Sequence, residues 1–193
     1  MDQRRRQRRQ RSRRRRDLRG PAGPSALRVA AVCLVALVAL ATGATSSVSA
    51  RSVAGSIALR AALEMIGVPY SWGGGGVHGP GYGIGRGATT KGFDCSGLAE
   101  YAYARAGALI GTTTYEQWRA GIRITKELLE PGDLVFFDSD KATPGPEHVG
   151  LAVDAERMVH APHTGAQVRI DPLDRADLLG IVRVEVGRGD QDL

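Results

Sequence analysis

From about residue 130 onward, the apolar residues of the chain stop following a helical period and fall into short runs typical of strands. These strand-like runs cover residues 134–137, 149–153, 157–160, 167–170 and 180–186. A turn, Glu130 to Asp133, comes just before the first run. Because helical patterns precede these runs, the order indicates an α+β domain with a small antiparallel sheet.

Three helices are expected ahead of the strands. The first two are predicted over residues 52–66 and 95–106, and each is followed by a glycine, which is a common stop signal. A short third helix is predicted to follow Thr112 or Thr113. Small residues line one face of the second helix, so this helix is expected to pack closely on its neighbours.

The segment Gly73 to Gly92 separates the first two predicted helices. It is too rich in glycine for regular structure, and we predict a long surface loop. Long loops in compact domains often have a functional role. The glycines do not form a phosphate-binding motif, because no strand precedes them and no Gly-Lys-Ser/Thr follows. Deleting this loop is expected to change substrate preference more than thermal stability.

Residues 1–50 have the order of a secretory signal peptide with a long basic n-region. A cationic run is followed by the apolar segment Val29 to Ala41 and by small residues up to Ala50. The apolar segment is shorter than the ~20 residues of a membrane-spanning helix, which favours a cleaved signal over an uncleaved anchor. Residues 51–193 then form one exported domain, which meets the membrane only through the leader.

The charge of the chain divides at the same place. Residues 1–50 contain 12 Arg and two Asp, a net charge of +10, whereas residues 51–193 carry a net charge of −4. The overall charge of +6 therefore comes from the leader. A nucleic-acid partner would need a basic stripe on the folded domain, and none is expected here.

Cys95 is the only cysteine of the predicted mature chain. It has no partner for an internal disulfide, so it is an intermolecular link, a reactive thiol, a metal ligand or an inert buried thiol. Its predicted place at the first turn of a helix favours a thiolate, because the free N–H groups of that turn stabilise negative charge. Asp94 beside it is electrostatically unhelpful to a thiolate, which suggests another role, such as a helix cap.

Two histidines are placed to assist a cysteine nucleophile. His148 begins one strand-like run and His160 ends the next, so an antiparallel hairpin brings both to the same edge of the sheet. One ring can then act as the base and the other can orient it.

A zinc site formed by Cys95, His148, His160 and His163 is the competing interpretation. His163 follows a proline at the end of a strand, which is not typical spacing for a metal-ligand pair. We interpret His78 and His163 as ordinary loop residues, and neither a metal nor another cofactor is expected.

Five segments, in order, carry a resemblance to a known family: PYSWGG, GFDCSGL, LEPGDLVFF, HVG and VHAP, beginning at residues 69, 92, 129, 148 and 159. With them the chain resembles the NlpC family of secreted cysteine peptidases, over residues 52–186. The resemblance implies a papain-like α+β core, with N-terminal helices packed on a small antiparallel sheet. It also implies cleavage of peptidoglycan stem peptides in the cell wall, commonly between γ-D-glutamate and a diamino acid. Separately, we expect the domain to be a monomer.

The resemblance assigns roles residue by residue. It implies that Cys95 is the nucleophile, that His148 is the general base and that His160 orients His148. Tyr70 matches a tyrosine that lines the active site, and Asp94 and Ser96 match positions that contact the free amine end of the stem peptide in some members. Two alternatives stay open: a catalytically silent wall- or peptide-binding module, and an amidase or acyltransferase that uses the same thiol.

Overall fold

The computed structural model of the chain describes residues 53–140, 142–143 and 145–184. The predicted leader and residue 52, where the first predicted helix begins, lie outside these residues, as do residues 185–186 of the last predicted strand. Within the described ranges, no helix is long and apolar enough to span a membrane.

Three α-helices and eight strands occur in the described residues. The helices are α1 (53–63), α2 (Cys95–Arg105) and α3 (Thr114–Gln117). The strands are β1 (Gly81–Tyr82), β2 (Lys91–Gly92), β3 (Gly121–Ile124), β4 (Leu134–Phe137), β5 (His148–Ala152), β6 (Arg157–His160), β7 (Arg169–Pro172) and β8 (Leu178–Val184). Two 3₁₀ turns cover Gly85–Gly87 and Lys126–Leu128.

The main sheet has the strand order β3-β8-β4-β5-β6-β7, and all of its pairings are antiparallel. Side chains alternate across it, as the strand period requires. Leu134 and Phe136 of β4 pack in the cluster that contains residues of α1 and α2, whereas Val135 and Phe137 belong to a second cluster. The predicted α+β architecture is therefore confirmed, with the helices covering one face of the sheet.

The turn before β4 is fixed by a partly buried ion pair. Arg183 donates from Nε and Nη2 to the two carboxylate oxygens of Asp133, at 2.9 and 2.8 Å. Tyr103 of α2 donates to the carbonyl of Gly132 at 2.8 Å. The turn is thus attached to both β8 and α2. Because Asp133 is almost fully buried, loss of Arg183 would leave its carboxylate without these hydrogen bonds, so the Pro-Gly-Asp segment is a structural anchor.

The first helix and one strand differ from the sequence prediction. Helix α1 ends at residue 63 rather than at Ile66, because the chain passes through turns to Gly67, whose φ is +89°. Ile66, the last residue of the predicted helix, is therefore exposed. Strand β3 was not predicted, because it is a short edge strand whose four residues are all partly or fully exposed.

The prediction of an irregular surface loop over Gly73 to Gly92 is wrong in part. Strands β1 and β2 pair within this segment, and a 3₁₀ turn lies between them. Ser71, which is buried, donates from Oγ to the carbonyl oxygens of Gly87 and Thr90 at 3.1 and 2.7 Å. The strand pairing, the 3₁₀ turn and the acceptors of the Ser71 hydroxyl all involve backbone atoms. Such interactions leave no periodic pattern of side chains in the sequence.

Candidate active site

Cys95 is the first residue of α2 and carries a free thiol. Asp94 caps this helix, because its Oδ1 accepts a hydrogen bond from the backbone N–H of Gly97 at 2.7 Å. The cap interpretation of Asp94 is thus confirmed. The thiol of Cys95 donates to the carbonyl oxygen of Glu147 at 3.9 Å, so it already faces the start of β5.

The glycine-rich segment is held against the start of α2 by the same aspartate. Asp94 Oδ2 accepts from the N–H of Gly73 at 3.0 Å, and the N–H of Asp94 donates to the carbonyl of Gly74 at 2.9 Å. A Cβ atom at Gly97 would lie 2.4 Å from this carbonyl oxygen. Only glycine permits such an approach, so the GFDCSG motif needs Gly97 to seat the segment beside Cys95.

His148 and His160 lie side by side at one edge of the sheet. Their rings meet through His148 Nε2 and His160 Nδ1, which are 2.7 Å apart. A Cβ atom at Gly150 would lie 3.2 Å from the Cβ of His160 and 2.8 Å from the sulfur of Met158. The glycine of the HVG segment therefore leaves the room in which His160 packs beside β5. The predicted hairpin juxtaposition is confirmed.

Asp171 extends this pair, and the sequence prediction missed it. Its Oδ2 lies 2.9 Å from His160 Nε2 and accepts from Arg169 Nε at 2.8 Å. The residue belongs to β7, whose register with β6 pairs His160 with Arg169. The predicted strand over residues 167–170 stops one residue short of Asp171. Continuing the strand pattern would have placed this carboxylate on the neighbouring strand.

Burial keeps the reactive groups neutral at rest. Burial, and then the negative charge of Asp94, raise the pKa of the Cys95 thiol to about 12, although nearby backbone N–H groups act in the opposite direction. Burial, together with the neighbouring His160 and Arg175, lowers the pKa of His148 to about 3. Burial also lowers the pKa of His160, against the opposing effect of Asp171. At neutral pH the site therefore holds a thiol and two neutral imidazoles.

Tyr70 lies at the start of the glycine-rich segment, with only 7% of its surface exposed. Its backbone forms an isolated parallel β-bridge with Phe93, which lies just before α2. Its N–H donates to the carbonyl of Ala166 at 2.9 Å. Burial, followed by the nearby Cys95 and Asp94, raises the pKa of Tyr70 to about 12. Its hydroxyl therefore keeps its proton at neutral pH and can donate a hydrogen bond into the site.

An open groove of about 1210 Å³ contains all six of the residues singled out by sequence. They are Tyr70, Asp94, Cys95, Ser96, His148 and His160. One side of the groove is formed from strands β5 to β7, called the hairpin wall below, and another from residues 72–92, called the loop wall. Ser96 donates from Oγ to Asp94 Oδ1 at 3.1 Å.

The two remaining histidines also border the groove. His163 Nδ1 lies 3.0 Å from the carbonyl of Thr164, so this nitrogen is a donor rather than a metal ligand, and His78 is exposed on the loop wall. Across the described ranges, no group of three or more His, Cys, Asp or Glu side chains is arranged to hold a metal ion. The zinc interpretation therefore finds no geometric support among these residues.

Comparison with known proteins gives consistent matches to this arrangement. The NlpC/P60 family matches residues 67–178 of the chain. The peptidoglycan endopeptidase RipA of Mycolicibacterium smegmatis is 38% identical over 115 residues, which are 60% of this chain and 22% of RipA. The peptidoglycan endopeptidase RipB of Mycobacterium tuberculosis is 37% identical over 134 residues, which are 69% of this chain and 54% of RipB. The chain thus spans about half or less of the length of these relatives.

Solved structures agree with these sequence matches. The structure of the peptidoglycan hydrolase RipB superposes with a TM-score of 0.62 at 36% identity, covering 69% of this chain and 65% of that one. RipD of Mycobacterium tuberculosis, described as a non-catalytic NlpC/p60 domain protein adapted to peptidoglycan binding, gives a TM-score of 0.61 at 32% identity. That match covers 68% of this chain and 97% of RipD. The fold is therefore shared by hydrolases and by a binding protein, and the site residues must distinguish them.

Proposed function

Because the chain belongs to the NlpC/P60 family, we propose that it is a secreted cysteine endopeptidase that hydrolyses peptide bonds in the stem peptides of peptidoglycan. The observation that carries this proposal is the position of Cys95 at the start of α2, in one groove with the hydrogen-bonded pair His148 and His160. The names of RipA and RipB, which are peptidoglycan endopeptidases, support the substrate class. The proposed bond lies between γ-D-glutamate and a diamino acid.

In the proposed mechanism, Cys95 is the nucleophile and His148 is the general base. The Sγ atom attacks the scissile carbonyl carbon while its proton passes to His148 Nδ1. The tetrahedral intermediate collapses to a thioester, and His148 returns the proton to the leaving amine. Water, deprotonated by His148, then hydrolyses the thioester and regenerates the thiol.

The negative charge on the tetrahedral oxygen needs hydrogen-bond donors that are already in place. The backbone N–H of Cys95, in the first turn of α2, supplies one of them in our proposal. We assign the second donor to the Tyr70 hydroxyl, because Tyr70 borders the same groove as Cys95 and its raised pKa of about 12 leaves it protonated. The sequence alone did not name this second donor.

Substrate binding is assigned to Asp94 and Ser96, the two residues that flank Cys95 in the sequence. Asp94 and Ser96 border the groove, and we propose that they contact the free amine end of the stem peptide. The Asp94 carboxylate would then serve as helix cap and as cation contact at once. No metal or other cofactor takes part in the proposed reaction.

The decisive test is cleavage of purified muropeptides by the full chain and by its Cys95→Ala variant, with products identified by mass spectrometry. We expect complete loss of cleavage in this variant and products carrying a new diamino-acid amine in the wild type. The matched control is Cys33→Ala, which removes the other cysteine of the sequence and should retain cleavage. Cleavage by Cys95→Ala would overturn the proposal.

The same experiment separates the alternatives. Release of the whole stem peptide from the sugar would identify an amidase, and products joined to an added amine would identify an acyltransferase. Binding of intact muropeptides without cleavage would identify a module of the RipD type. RipD, a non-catalytic NlpC/p60 domain protein adapted to peptidoglycan binding, supports the binding alternative for this fold, but the Cys95–His148–His160 arrangement favours catalysis.

Export is proposed from the leader, and the site of action is proposed to be the cell wall. The domain is proposed to act as a monomer, with stem peptides as its partner and no nucleic acid. Sequencing the N-terminus of the chain recovered outside the cells tests the export step, since a start near Arg51 is expected. Recovery only inside the cells, with residues 1–50 attached, would contradict it.

A further inference from the structure

We infer that Asp171 is a positioning residue, whose carboxylate fixes the proton positions on both histidines so that His148 presents an unprotonated Nδ1 to Cys95. This inference extends the proposed function, on which its catalytic consequence rests. The contacts run without interruption from the carboxylate to the base. Asp171 Oδ2 is 2.9 Å from His160 Nε2, and His160 Nδ1 is 2.7 Å from His148 Nε2.

The proton positions follow from the donor and acceptor capacity of each group. An ionised carboxylate only accepts hydrogen bonds, so His160 Nε2 must carry a hydrogen toward Asp171. A neutral imidazole carries one N–H, which leaves His160 Nδ1 as an acceptor. His148 must then donate from Nε2, and its Nδ1 is left with a free lone pair. The opposite arrangement would point an unprotonated His160 Nε2 at the carboxylate, which is repulsive.

The surroundings of Asp171 keep its carboxyl group ionised, as the inference requires. Burial alone would raise the pKa of Asp171, but hydrogen bonds from His160 and Arg169 outweigh this effect and hold the pKa below its ordinary value. The histidines are neutral because burial lowers the pKa of each. Other charges near this end of the sheet, Arg175 and Asp177, pair with each other.

Asp171 also offsets the charge that appears during the reaction. When His148 accepts the thiol proton it becomes an imidazolium, and its Nε2–H stays bonded to His160. The Asp171 carboxylate lies two hydrogen bonds away from His148, through the ring of His160. Its negative charge therefore stabilises the imidazolium. A buried histidine pair without this carboxylate would have to carry the positive charge alone, in a site where burial already disfavours it.

A purely structural role for Asp171 predicts a different result. The Arg169–Asp171 ion pair has side chains that are 47% and 30% exposed, and exposed pairs contribute little to stability. A structural role would therefore leave both the histidine tautomers and the turnover number unchanged. A positioning role changes both, while substrate affinity stays the same.

The test measures the tautomers by long-range ¹H–¹⁵N NMR on the full chain at neutral pH. In the wild type we expect both His148 and His160 to carry the hydrogen on Nε2, with His78 as an internal reference. In Asp171→Ala, a substantial population of each active-site ring should shift the hydrogen to Nδ1. In Asp171→Asn the amide oxygen can still accept from His160 Nε2, so the wild-type tautomers should largely return.

Two control variants isolate the carboxylate. Arg169→Gln removes the other partner of Asp171 and should leave the tautomers as in the wild type. Asp154→Ala removes a carboxylate that pairs with Arg157 at the far end of the same hairpin, and should leave kcat unchanged. For Asp171→Ala we expect kcat to fall about tenfold to a hundredfold with KM within about twofold, and Asp171→Asn should recover most of kcat.

Unchanged tautomers in a folded Asp171→Ala would overturn the inference, whatever the activity. Altered tautomers with unchanged kcat in an active enzyme would also overturn it as a statement about catalysis. If the wild-type chain cleaves no muropeptide, the proposed function fails, and the NMR result still decides whether Asp171 fixes the tautomers. The two failures are therefore distinguishable.

Discussion

The hairpin wall and the loop wall border the same groove but are held in place by different kinds of interaction. In the hairpin wall, antiparallel register sets the positions of His148, His160 and Asp171. In the loop wall, close backbone approach and positive φ angles at several glycines set the shape. Under the proposed function this difference is a division of labour, in which the hairpin wall transfers protons and the loop wall determines the shape available to the substrate.

Tyr70→Phe tests whether this division is complete, because Tyr70 leads into the loop wall but is proposed to act in the chemistry. The variant removes only the hydroxyl from a buried ring. We expect kcat to fall about a hundredfold, as for the loss of one oxyanion donor, with KM nearly unchanged. Steady-state kinetics on a muropeptide measure this. Tyr82→Phe is the control, since Tyr82 is an exposed tyrosine of the loop wall. An unchanged kcat in Tyr70→Phe would confine the chemistry to α2 and the hairpin wall.

Gly97→Ala tests how the loop wall is attached. Its new Cβ would lie 2.4 Å from the backbone oxygen of Gly74, so the segment must shift away from α2. We expect the free energy of unfolding to fall by about 1–3 kcal/mol, measured by denaturant titration. Gly67→Ala is the comparison, because Gly67 has φ +89° with no atom near its Cβ position and should cost only about 1 kcal/mol. Equal losses in the two variants would mean that the contact with Gly74 does not matter.

Acid is expected to destabilise the fold through the hairpin wall. His148 has a pKa of about 3 in the folded chain, against 6.5 as its ordinary value. Between these values the unfolded chain binds the proton and the folded chain does not, so the free energy of unfolding falls as the pH falls. We expect a loss of about 2 kcal/mol between pH ~7.5 and pH ~5 from this residue.

The control for this pH dependence is His148→Gln, whose unfolding should depend less steeply on pH over the same interval. The lowered pKa of His160 acts in the same direction, so part of the slope should remain. Denaturant titrations at several pH values measure both chains. An identical slope in wild type and variant would show that His148 is not the group responsible.

Arg86→Ala is expected to have the smallest effect and to act on binding alone. The Arg86 guanidinium lies 4.3 Å from the ring centroid of Trp72, and both residues border the groove. We expect KM to rise less than about fivefold, with kcat unchanged, because an exposed cation–π contact contributes about 0.5–1 kcal/mol. Arg123→Ala, which removes the similar stacking on Trp118 away from the groove, is the matched control. A loss of kcat in Arg86→Ala would assign chemistry to the loop wall.

The two walls also differ in how far the sequence predicted them. The hairpin arrangement of His148 and His160 followed from two short runs with a turn between them, because antiparallel pairing fixes which ends meet. The start of α2 at Cys95 followed from local signals at Asp94. Asp171 was missed because the predicted strand ended at residue 170, and strand ends are not marked by the period itself.

The loop wall could not be predicted in the same way. Its contacts join backbone atoms far apart in sequence, such as Asp94 N to Gly74 O and Ile84 N to Trp72 O. Such contacts place no requirement on side-chain polarity, so the sequence shows only that this segment is rich in glycine. Close approaches like that of Gly74 to Gly97 depend on the assembled fold. The edge strand β3 was missed for a different reason, since it is only four residues long and all four are partly or fully exposed.

The raised pKa of the Cys95 thiol has a consequence for its sensitivity to oxidation. Peroxides and disulfides react with thiolates and leave protonated thiols largely untouched. A thiol that stays protonated at neutral pH therefore resists oxidation in air and in oxidising surroundings. The burial that disfavours ionisation of Cys95 thus also protects its sulfur from oxidation.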